Sequence, residues 1–262
     1  MKNFCVIGFP IAHSRSPQLH EAGFREMDID AEFTTQEVRP ENLESWMKTQ
    51  FKEFEGVAVT IPHKEAIRKY IDTDTEAAQK IGAVNTIYRH ENTVVGTNTD
   101  CMGALKAIQT ELPELQGKKA LVLGAGGASR AVIFALQTAG MQILLWNRTT
   151  KKALSLADEF DIEVIENLKT IDASDLDLIV NATPVGLGEW KSPLPEDFFD
   201  SHNVVFDMVY DPLETKLLSD AEKAGAKTIT GDKMLVFQAI EQFKIWHNIE
   251  LEPEIMGEAF FE

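Results

Sequence analysis

Short apolar runs alternate with amphipathic stretches along the whole chain. Phe4-Cys5-Val6-Ile7-Gly8 is an apolar run closed by Gly and Pro, the mark of a buried strand. A helix is predicted from Pro17 to Met27, with Ser16 as N-cap and Pro17 in the first position. The same patterning predicts strands at 31–38 and 56–61 and helices at 41–50, 62–70 and 74–81. A strand pair at 83–89 and 93–96 and a helix at 102–111 come next. Beyond Gly117 the pattern restarts with a strand at 119–123, a glycine turn at 124–127 and a helix at 128–139. A strand at 141–146, a helix at 151–160 and strands at 176–181, 204–209 and 227–230 follow. A long amphipathic helix at 233–247 and a short one at 253–261 close the chain. Such alternation implies βαβ units and mainly parallel sheets. Two sheets fit 262 residues better than one, with Pro113 and Gly117 marking the expected break.

Composition changes this picture in one respect. The chain carries 25 Lys and Arg against 42 Asp and Glu, a net charge of −17. That balance argues against nucleic-acid binding and against docking on an anionic membrane. No apolar run is long enough to span a bilayer, so a soluble, cytoplasmic protein is expected. The charge is uneven, however. From Leu115 to Ala157 there is no acid, where roughly seven would be expected from composition alone. Lys118, Lys119, Arg130, Arg148, Lys151 and Lys152 give that window a charge of +6. The two cysteines, Cys5 and Cys101, read as small buried hydrophobes, and the six histidines lack metal-ligand spacing.

The acid-free window contains Gly124-Ala125-Gly126-Gly127-Ala128-Ser129 between a strand and a helix. Glycines there permit a sharp turn and close approach to a pyrophosphate, and the following helix presents free N–H groups to the anion. The other reading is a tight turn that binds nothing. An NAD site would carry an acid about 20 residues further on. Here Asn147-Arg148-Thr149 stands instead, with Lys152 four residues beyond Arg148 on the face of a starting helix. An arginine fork, a second cation and a hydroxyl suit the 2′-phosphate of NADP; the alternative is a solvated helix start.

Four polar clusters lie elsewhere. Ser14 and Ser16 sit at a helix mouth and suit a carboxylate or hydroxyls, or serve only as cap and turn. Thr60 and Lys64 flank a strand end, and a lysine near a hydroxyl could take its proton. The stretches around Asn85 and around Asn98-Thr99-Asp100 end strand-like pieces and are either turn formers or ligand groups.

Taken together, these segments resemble the shikimate dehydrogenase family from Ile7 to about Trp246. The matching pieces include His13-Ser-Arg-Ser-Pro17, Val59-Thr-Ile-Pro-His-Lys64, Gly82-Ala-Val-Asn-Thr86, Asn98-Thr-Asp100 and Gly124-Ala-Gly-Gly-Ala-Ser-Arg130. Asn147-Arg-Thr149, Asn181-Ala-Thr-Pro184, Asp207-Met-Val-Tyr-Asp-Pro212 and Met234-Leu-Val-Phe-Gln238 complete the set. The resemblance implies an α/β fold of two domains with a cleft between them. Residues 1–101 and 236–262 would form a substrate domain with a mixed sheet, and 102–235 a Rossmann-type NADP domain. It further implies NADP-dependent, reversible reduction of 3-dehydroshikimate to shikimate by a monomer or homodimer.

By the same resemblance Lys64 and Asp100 are the catalytic pair, and Ser14, Ser16, Thr60, Asn85, Tyr210 and Gln238 bind substrate. The cofactor falls to Gly124, Ala125, Gly126, Gly127, Ala128, Asn147, Arg148, Thr149, Lys152 and Thr183. The chain departs from the family pattern at Ala58, where an asparagine is usual, and at Cys101, Phe237 and Ala239. Two other readings are a broader shikimate/quinate dehydrogenase using NAD and a non-catalytic ligand sensor. Retention of Lys64 and Asp100 weighs against the sensor.

Overall fold

Burial is continuous along the first strand, and this decides its place. β1 (Lys2–Gly8) is buried from Phe4 to Gly8, as a strand covered on both faces must be. β2 (Ala31–Glu37) and β3 (Gly56–Val59) pair with it in parallel, one on each side. With β4 (Thr73–Asp74), β5 (Thr86–His90) and β6 (Thr93–Thr97) they form a six-stranded sheet in the order β2-β1-β3-β5-β6-β4. β5 runs antiparallel to both β3 and β6, so the sheet is mixed. The helices α1 (Ser16–Glu26), α2 (Leu43–Thr49) and α3 (Glu76–Ile81) accompany it. One core cluster joins Ile7, Val57, Val59 and Ile87 from the strands to Leu43, Trp46 and Met47 from α2.

This computed structural model describes residues 1–262, and the chain divides into two units. Met1–Gly103 and Leu235–Glu262 make the first unit, and Ala104–Met234 the second. The break falls inside α4 (Asp100–Gln109), not at Pro113 or Gly117. The chain passes from one unit to the other within this helix, while 113–117 is the loop before the next strand.

In the second unit every strand is parallel. β7 (Lys119–Leu123), β8 (Gln142–Trp146), β9 (Glu163–Val164), β10 (Leu178–Asn181), β11 (Val204–Asp207) and β12 (Lys227–Ile229) stand in the order β12-β11-β10-β7-β8-β9. From β7 the chain winds outward through β8 and β9, then returns to β10 on the other side of β7. That reversal makes a topological switch point between β7 and β10, where ligands bind at the carboxyl ends of strands. The helices α5 (Gly127–Thr138), α6 (Thr150–Phe160) and α7 (Lys216–Lys223) connect β7 to β8, β8 to β9 and β11 to β12. α8 (Gly231–His247) begins in this unit and from Leu235 belongs to the first, as does α9 (Pro253–Phe260). No helix is long and apolar enough to cross a membrane.

Three local expectations are corrected. Ser16 is not the cap of α1: it is the first helical residue and is buried, while Arg15 stands at the cap position without a side-chain bond. Residues 62–70 do not form one helix. The Lys64 carbonyl accepts from Val84 N–H at 2.7 Å, which removes the acceptor a helical turn would use, and only a 3-10 turn at Ala66–Tyr70 remains. Asp74 belongs to β4 and receives Arg68 Nε at 2.7 Å, so α3 starts at Glu76 with Thr75 as its cap.

Candidate active site

Strand ends of the first unit bring the predicted residues together. Lys64 is held by its carbonyl bond to Val84, at the entrance to β5. Asp100 opens α4 directly after β6. Lys64 Nζ donates to Asp100 Oδ2 at 2.6 Å, with both side chains largely buried. Asn85 Nδ2 donates to the other carboxylate oxygen, Oδ1, at 2.8 Å, and also to Thr99 Oγ1 at 2.9 Å. Gln238 arrives from α8, its Oε1 accepting from Asn85 Nδ2 at 3.4 Å while its own Nε2 donates to the Leu235 carbonyl. Charge and hydrogen bonds are thus arranged around a single buried carboxylate, which leaves the remaining N–H bonds of the Lys64 ammonium for a ligand.

Ser14 Oγ accepts from Ser16 N–H at 3.3 Å, so the two serines form one turn at the mouth of α1. Thr60 follows β3 and its N–H donates to the Ile7 carbonyl, continuing the β1–β3 ladder. His63 is buried with Nε2 2.6 Å from the Val38 carbonyl, a structural histidine beside Lys64. Both cysteines are free and buried, and Cys101 Sγ donates to the Asn98 carbonyl. Burial pushes the Cys101 thiol up to about 12, so it is inert as a nucleophile. Ala58, where the family pattern has an asparagine, is buried in β3.

Two residues given no role by the sequence belong to this cluster. Thr86 Oγ1 donates to Asn85 Oδ1 at 2.8 Å, and Gln242 Nε2 donates to Thr86 Oγ1 at 3.0 Å. Gln242 follows Gln238 by four residues, the helical spacing that puts both on one face of α8. A second glutamine on that apolar face was the available signal.

The second unit carries the glycine turn at its switch point. Gly124 adopts φ +114, and a Cβ there would lie 2.9 Å from the Ala182 carbonyl. Glycine is required because the turn crosses directly over the chain leaving β10. At Gly126 a Cβ would meet nothing within 4 Å, so an open space faces the exposed glycine at the N-terminus of α5. Ala125, Gly127 and Ala128 are half-buried around it, and Ser129 Oγ accepts from Gly126 N–H. The turn, the space and the free first-turn amides fit a pyrophosphate.

The acid-free window is partly neutralised from outside. Lys118 bridges to Asp177 and Arg130 to Glu159, both beyond the window. Arg148, Lys151 and Lys152 are exposed at the start of α6 and pair with no carboxylate. The first turn of α6 has no acid, and Thr149 at its cap makes no side-chain cap bond. Asn147 Nδ2 donates to the Thr149 carbonyl and shapes the turn. Cations at the positive end of a helix dipole each cost about 0.3–1 kcal/mol, an arrangement that a bound anion reverses. A cavity of about 810 Å³ on this unit, between Trp146, Leu168 and Phe199, includes none of these residues and is edged by Asp172, Asp197 and Asp200.

Thr183 lies in the loop after β10, where its Oγ1 donates to Asn181 Oδ1 at 2.6 Å. Asn181 Nδ2 donates in turn to Asp207 Oδ1, and Thr215 Oγ1 donates to Asp207 Oδ2. Asp207 therefore ties the loop bearing Thr183 to the turn bearing Tyr210. Burial raises its carboxyl from the ordinary 3.8 to about 6 despite these donors. A carboxylate raised in the fold loses stability as pH rises from about 4 through 6, and a displacement of this size corresponds to about 3 kcal/mol. Asp207→Asn cannot ionise; its oxygen can still accept from Asn181 Nδ2 and Val209 N–H, while its NH2 replaces the acceptor of the Thr215 hydroxyl, a loss that does not vary with pH. Its Tm relative to the parent's is expected to rise from pH 4.5 to pH 7.5; a difference constant with pH would remove Asp207 as the cause.

An open parallel sheet with a glycine turn at its switch point, together with a lysine–carboxylate pair on a mixed sheet, defines the class of dinucleotide-dependent α/β oxidoreductases. Comparison with known proteins narrows the class. Residues 6–87 match the family model described as the shikimate dehydrogenase substrate binding domain, and residues 106–185 match shikimate / quinate 5-dehydrogenase. The NADP(+) shikimate dehydrogenase of Maridesulfovibrio salexigens is 41% identical, the match covering 100% of this chain and 97% of that protein. That of Thermus thermophilus is 40% identical over 99% and 97%. The crystal structure of shikimate dehydrogenase from Aquifex aeolicus superposes with a TM-score of 0.94 at 38% identity, covering 100% of this chain and 98% of that one. A Thermus thermophilus shikimate 5-dehydrogenase in complex with NADP(H) and shikimate gives 0.91 at 39%, covering 100% and 99%. The chain belongs to the shikimate dehydrogenase family.

Proposed function

We propose that this chain catalyses the NADP-dependent, reversible reduction of 3-dehydroshikimate to shikimate. The observation that carries the reading is the Lys64–Asp100 pair, fixed by Asn85 on the same unit as Ser14, Ser16, Thr60 and Gln238. A relative of this chain binds shikimate together with NADP(H).

The nicotinamide supplies or accepts the hydride. Gly124, Ala125, Gly126, Gly127 and Ala128 would hold the pyrophosphate. Asn147, Arg148, Thr149 and Lys152 would hold the 2′-phosphate end, and Thr183 the nicotinamide side. Ser14 and Ser16 accept the role of binding the substrate carboxylate, and Thr60, Asn85 and Gln238 that of holding ring hydroxyls. Tyr210 completes the substrate set from the turn after β11.

In the reducing direction the carbonyl oxygen gains negative charge as hydride reaches its carbon, and Lys64 Nζ–H gives that oxygen its proton. In the oxidising direction the hydroxyl proton passes to the neutral amine. Asp100 holds the lysine head group in place through both steps.

Reduced-nicotinamide absorbance with shikimate or quinate, each with NADP or NAD, tests the reading. Turnover of shikimate with NADP is expected to exceed the other three combinations. Folded protein that turns over none of them is not an enzyme of this kind.

A further inference from the structure

We infer that His20, Gln242 and Thr86 are positioning residues for the Lys64–Asp100 pair, acting through the side-chain amide of Asn85. This rests on the reading of that pair as the one that handles the proton. None of the three touches the pair. The connection is a single run of hydrogen bonds through buried side chains.

The donors and acceptors along the run fix the orientation of each amide in turn. Gln242 Nε2 lies 3.3 Å from the Asn85 carbonyl, a group that can only accept. The NH2 side of the Gln242 amide must therefore face Asn85 and Thr86, and its Oε1 must face His20 Nε2, 3.2 Å away. His20 then carries its proton on Nε2. Its ring lies flat on Phe33, with centroids 4.4 Å apart at 3°, and its bare Nδ1 has no partner.

Thr86 Oγ1 accepts from Gln242, and its single proton goes to Asn85 Oδ1 at 2.8 Å rather than to Thr99 Oγ1 at 3.4 Å. Thr99 N–H donates to the same Oδ1 at 2.7 Å. With Oδ1 taken by these two donors and approached by Thr99 Oγ1 at 3.3 Å, Asn85 must turn its NH2 towards Asp100 Oδ1, which leaves Oδ2 to Lys64. His20, Gln242, Thr86 and Asn85 are all 2% exposed or less, so no water competes for these groups. Without the Thr86 hydroxyl, Asn85 Oδ1 loses one of its two anchors shorter than 3 Å, and the amide is held less firmly against the carboxylate.

The test separates positioning from mere folding. Thr86→Val keeps the shape and removes the hydroxyl, whereas Thr86→Ser keeps the hydroxyl. Thr86→Val is expected to lower kcat for shikimate oxidation about tenfold, with KM for NADP within about twofold of the parent. Thr86→Ser is expected to restore kcat. Gln242→Met should give the same loss, and the double variant Thr86→Val/Gln242→Met no more than either alone, because both cut one chain.

A parent-like kcat in Thr86→Val, no recovery in Thr86→Ser, or a roughly hundredfold loss in the double variant would each overturn the inference. If Thr86→Val shows no cooperative melt, Gln242→Met and His20→Phe carry the same expectation, and parent-like kcat in both overturns it. Absence of shikimate turnover by the parent chain itself would instead strike the proposed function.

Discussion

Lys64→Ala is expected to reduce kcat for shikimate oxidation by about 10²–10⁴-fold, the range a positioned proton-transfer group contributes, while KM for shikimate changes little. The structure explains why the two constants should separate. Asn85 and Gln238 keep their bonds without the lysine, because Asn85 Nδ2 still reaches Asp100 Oδ1 and Thr99 Oγ1. Ser14 and Ser16 hold each other through a local turn that does not involve Lys64. The groups proposed to bind the substrate thus survive, and only the N–H that meets the reacting oxygen is lost. Such a loss falls on the transition state rather than on the bound ground state. Steady-state absorbance at several shikimate concentrations, with a melting curve to show the variant folded, makes the measurement. A raised KM at unchanged kcat would make Lys64 a binding residue and would refute the assignment of proton transfer.

Arg148→Ala is expected to raise KM for NADP by about 10–100-fold, as loss of a hydrogen bond to a charged group worth about 1.5–3 kcal/mol requires, while KM for NAD stays within about twofold. The argument is electrostatic. Arg148, Lys151 and Lys152 are exposed, carry no carboxylate partner and stand where the dipole of α6 is already positive. Two cations of the same acid-free window are neutralised by Asp177 and Glu159, so the unpaired charge is concentrated at this helix start. A ligand bearing an additional phosphate gains from that concentration, and one lacking it does not. Titration of the protein with each cofactor, without substrate, gives the two dissociation constants directly. Equal loss for NADP and NAD would contradict the 2′-phosphate assignment.

Much of the second unit was legible because its signals are local. The strand at 119–123, the glycine turn and the helix after it are contiguous in the chain, and each is specified by periodicity or by backbone freedom. The uncompensated cations at the start of α6 were legible in the same way, from a missing acid and a nearby arginine. Less of the first unit could be read. The helix expected at 62–70 fails because Val84 N–H, from a remote part of the chain, captures the Lys64 carbonyl. The cap assigned to Ser16 fails because the residue is drawn into the helix and buried. Local propensity holds no information about a partner that remote.

The charge map shows the same division. Residue order alone defines an acid-free stretch of charge +6. Only the folded chain brings Asp177 and Glu159 onto Lys118 and Arg130 and leaves the helix start uncompensated.

By itself, then, the sequence determined the α/β class and the glycine turn, and it singled out the acid-free helix start at Arg148 and the residues Lys64 and Asp100. Periodicity, conformational freedom and side-chain chemistry are properties of short segments, so no folding is needed to read them. The tertiary structure decided that Asn85 would clamp the carboxylate, and that Gln242 and His20 would orient Asn85 from residues 157 and 65 positions away in the chain. Hydrogen bonds act over about 3 Å of space without regard to sequence distance, and only the packing of α8 and α1 with the first sheet brings those groups within that range.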